Sequence, residues 1–209
     1  MNHHMNQTQM DMPMGYVRVI HTVPDAPNVD IYANETMVVE DLAYGEYTDY
    51  LAIPEGEYKI SVYVAGTTDT PVVSNMLSVE QNKVLTIAAA GMLNDIGLLA
   101  IRDVDDPEDT DKAMVRFLHL SPNAPAVDIT LPDGTVVFDD VSFKQITPYR
   151  EVTPMNYTLE VRPAGTSDVV LSVPDVGLES GKNYTVYAIG LVGEEPELEA
   201  MLIQDGVFY

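Results

Sequence analysis

The chain has no cysteine and no tryptophan, and only 10 Lys and Arg to set against 33 Asp and Glu. Without cysteine there can be no disulfide, thiolate metal site or cysteine nucleophile. The compartment stays open, because many exported bacterial proteins also lack cysteine. A formal charge of −23 repels phosphate backbones and anionic membrane surfaces, which argues against nucleic acid as a partner. It leaves room for weak attraction of cations. No run reaches the roughly 18 apolar residues a membrane span needs, so membrane insertion is not expected. The N-terminus, M-N-H-H-M-N-Q-T-Q-M-D-M-P-M, has neither the basic nor the apolar region of a signal peptide. Either export does not use that route or the export segment has been removed. A phosphate-cradling glycine loop, H-E-x-x-H and a dinucleotide fingerprint are all missing, so no cofactor is indicated.

What is present is a repeat. V-R-V-I-H-T-V-P-D-A-P-N-V-D-I-Y, Val17 to Tyr32, returns as V-R-F-L-H-L-S-P-N-A-P-A-V-D-I-T, Val115 to Thr130, at a constant offset of 98. Self-similarity of this length decides the architecture before any local reading does. One inserted residue, expected near Asp139 or Asp140, then moves the offset to 99. At that offset Tyr50, Tyr58, Lys83, Thr86 and Gly91 match Tyr149, Tyr157, Lys182, Thr185 and Gly190. The expected division is a disordered tail over 1–14, a first repeat over 15–103, an acidic linker over 104–112 and a second repeat over 113–209. Each repeat has a common domain size and can bury a core without staples.

Within a repeat the pattern is strand after strand, and no window sustains a helical period. V-D-I-Y alternates, with Val29 and Ile31 on one face and Asp30 and Tyr32 on the other. Tyr58, Ile60, Val62 and Val64 likewise share a face. T-L-P-D-G-T-V-V-F carries a hairpin signal at Asp133-Gly134. Seven or eight short segments per repeat, broken by Gly, Pro, Asn or Asp, predict an all-β antiparallel sandwich or barrel.

Between the repeats lies R-D-V-D-D-P-E-D-T-D-K, with six carboxylates from Asp103 to Asp111. Like-charge repulsion predicts an extended, hinge-like linker. The sharper alternative is a weak divalent cation site such as calcium, although the glycine of an EF-hand loop is absent. His3, His4 and the methionines of the tail raise copper binding as another alternative. Two adjacent histidines cannot close a coordination sphere by themselves.

Val17 to Asp30 and Val115 to Asp128 resemble the repeated motif of a bacterial domain of unknown function, family 4397, which reads V-R-[FV]-[IVL]-H-A-S-P-D-A-P-x-V-D-[VI]-Y. The resemblance continues through P-E-G-E-Y-K-I-S-V-Y-V-A-G-T, Pro54 to Thr67, and G-K-N-Y-T-V-Y-A-I-G, Gly181 to Gly190. T-P-M-N-Y-T-L-E-V-R-P-A-G-T, Thr153 to Thr166, has lost the glycine before its tyrosine, and N-K-V-L-T-I-A-A-A-G is degraded from the third element. The resemblance implies two tandem immunoglobulin-like antiparallel β-sandwich domains, carried on exported or surface proteins. It supplies no reaction.

The chemistry-bearing residues sit in the repeated block. His21 and His119 follow apolar residues two apart and end their strands before Pro24 and Pro122. Asp25 and Asn123 can close an Asx turn, Pro27 and Pro125 fix φ, and Asp30 and Asp128 open the next segment. One reading is catalytic: Ser121, His119 and Asp128 as a hydrolase site. Against it, the first repeat has Val23 where the second has Ser121, and no G-x-S-x-G elbow accompanies the serine. The other reading is a buried turn network in which His and Asp satisfy loop amides. Arg18 and Arg116, on the opposite side of the strand, are expected in structural ion pairs, with anion binding as the alternative. Tyr58 and Tyr157 resemble the tyrosine corner of sandwich proteins. Tyr44, Tyr47, Tyr50 and Tyr63 are expected to pack in strands, with a sugar-stacking surface cluster as the alternative. The function expected from all this is non-enzymatic: a structural or adhesion-like binding module of a cell envelope or spore surface, meeting an unidentified surface polymer or protein.

Overall fold

The computed structural model describes residues 12–104 and 111–206. The first repeat contains β1 (Met14–His21), β2 (Val29–Ala33), β3 (Thr36–Leu42), β4 (Leu51–Pro54), β5 (Gly56–Val64), β6 (Val73–Val79), β7 (Val84–Ala90) and β8 (Gly97–Arg102). The second contains β9 (Ala113–His119), β10 (Val127–Thr130), β11 (Val136–Val141), β12 (Arg150–Val152), β13 (Met155–Pro163), β14 (Leu171–Leu178), β15 (Asn183–Ile189) and β16 (Glu199–Asp205). Among the described residues the sole helical element is one 3-10 turn, Leu93–Asp95.

Each repeat is a β-sandwich of two four-stranded sheets. The first pairs β4-β1-β7-β8 with β3-β2-β5-β6, and the second pairs β12-β9-β15-β16 with β11-β10-β13-β14. The tandem all-β sandwich architecture is therefore the one expected. Its strand order is distinctive: four strands face four, where the seven-stranded immunoglobulin arrangement sets four against three. The opening strand of each repeat also runs parallel to the seventh, while every other named pairing is antiparallel.

The parallel central strands explain the near-continuous apolar runs V-L-T-I-A-A-A and N-Y-T-V-Y-A-I, because both of their faces are covered. One face of β1 and β7 presents Val17, Val19 and Ile87 to the sandwich's own core, against Val29, Ile31, Ile60 and Val62. The other face presents Ile20, Ala88 and Ala90, which meet Leu118, Leu120, Tyr187 and Ile189 of the second repeat. This third core belongs to both repeats, so the sheets that carry β1 and β9 pack on each other. Each large side chain buried there contributes about 1.5–3 kcal/mol. The repeats are thus joined by a buried seam rather than by a hinge alone. Most of the acidic stretch in which that hinge was expected lies outside the described residues.

Two sequence expectations shift in detail. Met14 already belongs to β1, paired with Pro54, so the tail read as 1–14 overlaps the first strand. The inserted residue of the second repeat lies in the β10–β11 hairpin rather than near Asp139 or Asp140. Tyr32 pairs with Met37 across four residues, whereas Thr130 pairs with Val136 across five. The longer turn is closed by Gly134 N–H donating to the Leu131 carbonyl at 2.9 Å and by Thr135 N–H donating to Asp133 Oδ1 at 2.9 Å.

Candidate functional site

The repeated block folds into the same corner twice. β1 and β9 end at His21 and His119, both fully buried. The Val23 and Ser121 N–H groups donate to Nδ1 of His21 and His119, each at 3.3 Å. The opposite ring nitrogens, Nε2, lie 3.2 and 3.0 Å from the Pro27 and Pro125 carbonyls. A carbonyl can only accept, so Nε2 carries the proton and each imidazole is the neutral tautomer. Burial pushes both histidines below the ordinary imidazole range, opposed by the bond to the proline carbonyl. Neither ring nitrogen is left for proton transfer.

Asp30 and Asp128 do not touch these histidines through any hydrogen bond. Asp30 Oδ1 accepts from Asp41 N–H and Oδ2 from Gly66 N–H, both at 2.8 Å. Asp128 does the same with Asp140 at 2.8 Å and Gly165 at 2.9 Å. All four donors are in left-handed backbone, with φ of 54° at Asp41, 75° at Gly66, 50° at Asp140 and 73° at Gly165. Asp41 and Asp140 lie where the hairpin ladder shifts register. One carboxylate therefore holds a bulge on one neighbouring strand and an A-G-T turn on the other. The glycine in that turn answers a backbone that side chains rarely adopt.

Asp25 and Asn123 do not close the local Asx turn expected of them. Asp25 Oδ1 accepts from Leu93 N–H at 2.7 Å, and Asn123 Oδ1 accepts from Val192 N–H at 2.8 Å. They tie the P-D-A-P and P-N-A-P loops, which hold Pro24 and Pro27 or Pro122 and Pro125, to the loop after the seventh strand. The turn itself closes in the first repeat through Ala26 N–H and the Val23 carbonyl at 3.3 Å. Tyr58 donates to the Pro54 carbonyl at 2.9 Å and Tyr157 to the Thr153 carbonyl at 2.7 Å, each four residues back. Ser121 is fully buried, and its hydroxyl has no hydrogen-bond partner among the described residues.

A second constellation lies in the seam. Arg18 and Arg116, 2% and 3% exposed, each reach across to the carboxylate that ends the other repeat. Arg18 Nη2 lies 2.6 Å from Asp205 Oδ1, and Arg116 Nη2 contacts Asp103 Oδ1. The crossed distances, Arg18 to Asp103 and Arg116 to Asp205, are 3.8 and 3.7 Å. Tyr50 donates to Asp103 at 2.7 Å and Tyr149 to Asp205 at 2.8 Å. Thr86 donates to Asp103 and Thr185 to Asp205. The guanidinium of Arg18 lies 4.6 Å from the Tyr50 ring centroid, and that of Arg116 4.4 Å from Tyr149. Burial, then the nearby carboxylate Asp205, pushes Asp103 upward against the pull of two guanidinium groups. Each repeat supplies one Arg, one Asp, one Tyr and one Thr, in matching places.

Asp103 closes the first repeat and opens the acidic stretch, where a solvated carboxylate is expected. It is buried in this network instead. The missed signal was a repeat at an offset of 102, A-I-R-D against L-I-Q-D, after the longer final loop of the second repeat. The four tyrosines weighed as a sugar-stacking face do not gather. Tyr50 is in the seam, Tyr44 sits edge-on to His21, Tyr63 packs on Tyr32 and Tyr47 is exposed. Among the described residues no three His, Asp or Glu side chains converge as metal ligands, and no helix is long and apolar enough to cross a membrane. His3, His4 and Asp105 to Asp109 lie outside the described residues.

The family model described as a domain of unknown function (DUF4397) matches residues 15–130 and 131–207. The break between these segments falls inside the second sandwich, not at the acidic stretch. No curated protein matches the chain. Among solved structures, the C-terminal domain of AlgF from P. aeruginosa is 26% identical, covering 45% of this chain and 98% of that one, at a TM-score of 0.35. The Bacillus anthracis TIE protein is 11% identical over 93% of this chain and 34% of its own, at 0.27. A candidate cell adhesion protein from Bacteroides ovatus is 11% identical over 94% and 99%, at 0.26. At these TM-scores none of the three carries the functional argument.

Proposed function

The chain belongs to the DUF4397 family of domains of unknown function, and from its own geometry we propose that it is a non-enzymatic binding or structural module. The observation that carries this reading is the full engagement of its ionisable centres. His21, His119, Asp30 and Asp128 spend their polar atoms on loop backbone, and Arg18, Arg116, Asp103 and Asp205 spend theirs on one another. The repeated block is a fold element in both copies, and neither copy is an active site. The units 15–103 and 113–209 act as one body, because their shared core and ion network span the boundary. Such a body holds its acidic surface in fixed register for a polymer or protein of a cell envelope or spore surface. The location rests on the family resemblance. The matching experiment is sedimentation of the purified chain with wall or spore-coat fractions, beside a panel of ester, glycoside and peptide substrates. Sedimentation with no product supports the module. Turnover abolished by Ser121→Ala, a change that removes no hydrogen bond, would move the reading to a hydrolase.

A further inference from the structure

The second sandwich contains a cavity of about 180 Å³ that belongs neither to the corners nor to the seam. Its walls are Val115, Leu131, Val137, Phe138, Val152 and Leu159, closed by Leu178 and the ring of Tyr157. The tyrosine hydroxyl is committed to the Thr153 carbonyl, so the lining is essentially apolar. The cavity lies between β11 and β12, the edge strands of their two sheets. An apolar cavity of about 150 Å³ stays dry and takes up benzene, so this volume suits one six-membered ring or a short alkyl chain. Two cavities in the core of the first sandwich are smaller, about 40 and 10 Å³.

The edge of the cavity carries a charge. Arg150 precedes Val152 by two positions on β12, so both side chains leave the strand on the same side, and Val152 lines the cavity. The Arg150 guanidinium lies 5.4 Å from the centroid of Phe138, another wall residue. It makes no hydrogen bond or ion pair with any described residue, in a chain with 33 carboxylates. The equivalent position of the first repeat, paired with Val17 as Arg150 is with Val115, is Leu51. The cavity of the second repeat is therefore larger than those two, and it has an arginine beside it where the first repeat has a leucine.

We propose that this cavity is a binding site for a small carboxylic acid whose body is a phenyl ring or short alkyl chain, with the carboxylate on Arg150. The apolar body is taken up by the walls, and a guanidinium held over Phe138 offers a planar pair of donors to the acid. This stands apart from the envelope proposal, since the cavity would take such an acid whatever the module's larger role. The competing account makes Arg150 only a charge that guards an edge strand.

The test titrates the full chain with phenylacetate and hexanoate, and with toluene as the uncharged ring, by calorimetry and methyl-group NMR. The acids should bind one to one, with shifts at Val115, Val137, Val152 and Leu159. Arg150→Gln should weaken phenylacetate about fivefold, the range of a partly exposed ion pair, and leave toluene within experimental error. Val152→Phe should abolish both by filling the cavity. Leu131→Trp, at a half-buried position, serves where the first variant loses its circular dichroism. No saturable acid binding, or acid binding that survives a folded filling variant, overturns the site. Acid binding indifferent to Arg150→Gln overturns the role of the arginine and leaves it an edge guard.

Discussion

Asp205→Asn removes one charge from the seam and almost no volume. In the native protein the carboxylate accepts from Arg18 at 2.6 Å, from Tyr149 at 2.8 Å and from Thr185, and it lies 3.7 Å from Arg116. An asparagine keeps acceptor capacity for the hydroxyls but leaves two buried guanidinium groups to share Asp103, which lies 3.8 Å from Arg18. Breaking one partner of a buried pair costs about 3–5 kcal/mol, against a total stability of about 5–15 kcal/mol. The variant should therefore lose about a fifth of its stability at the least. The chain has no tryptophan, so the measurement is urea unfolding followed by tyrosine fluorescence and far-ultraviolet circular dichroism. Lys182→Ala, which breaks the exposed pair with Glu179, is the control and should leave the unfolding midpoint almost unchanged. Wild type should unfold in one transition, since Arg18 and Asp205 belong to different repeats. A loss below 1 kcal/mol in Asp205→Asn, or two separated transitions in wild type, would refute the seam as the element that unites the repeats.

Replacing all four charges together, with Met at Arg18 and Arg116 and Leu at Asp103 and Asp205, and removing the hydroxyls this would orphan, with Phe at Tyr50 and Tyr149 and Val at Thr86 and Thr185, should cost far less than the single change or even stabilise by about 1–4 kcal/mol, because neither a buried charge nor a buried donor is then left alone. A larger loss than in Asp205→Asn would mean that the network contributes more than its own desolvation. Asp30→Ala and Asp128→Ala should each destabilise by about 1–3 kcal/mol through orphaned amides, read by the same urea titration. Unchanged stability with lost binding of an envelope fraction would instead make the corners functional sites. Acidification should also destabilise. Unfolded histidine titrates near ~6.5 and folded His21 and His119 lie lower, so the unfolded state binds more protons as pH falls through that window. Each histidine contributes a slope of up to about 1.4 kcal/mol per pH unit there. Asp103, held upward, acts in the opposite sense, so the comparison is between wild type and His21→Gln with His119→Gln: the variant should show the shallower loss between pH 7 and 5.5.

The repeat and the all-β sandwich were legible in the chain because they are local or periodic. Alternation placed Val29 and Ile31 inward, and the shared P-x-V-D and A-G-T elements marked positions whose backbone needs a particular residue. Even so, the amides that Asp30 holds, at Asp41 and Gly66, are 11 and 36 positions away, and only the strand order brings them to one carboxylate. The seam was out of reach of such reading. Arg18 finds Asp205 across 187 positions, and the sequence around Asp103 looks like the start of a solvated acidic run. Whether a carboxylate is linker or core depends on what packs over it, and that is decided by a second sheet folded from the other end of the chain. The apolar runs of β7 and β15 did record that both faces would be covered. They could not say by what, because hydrophobic burial has no direction of its own.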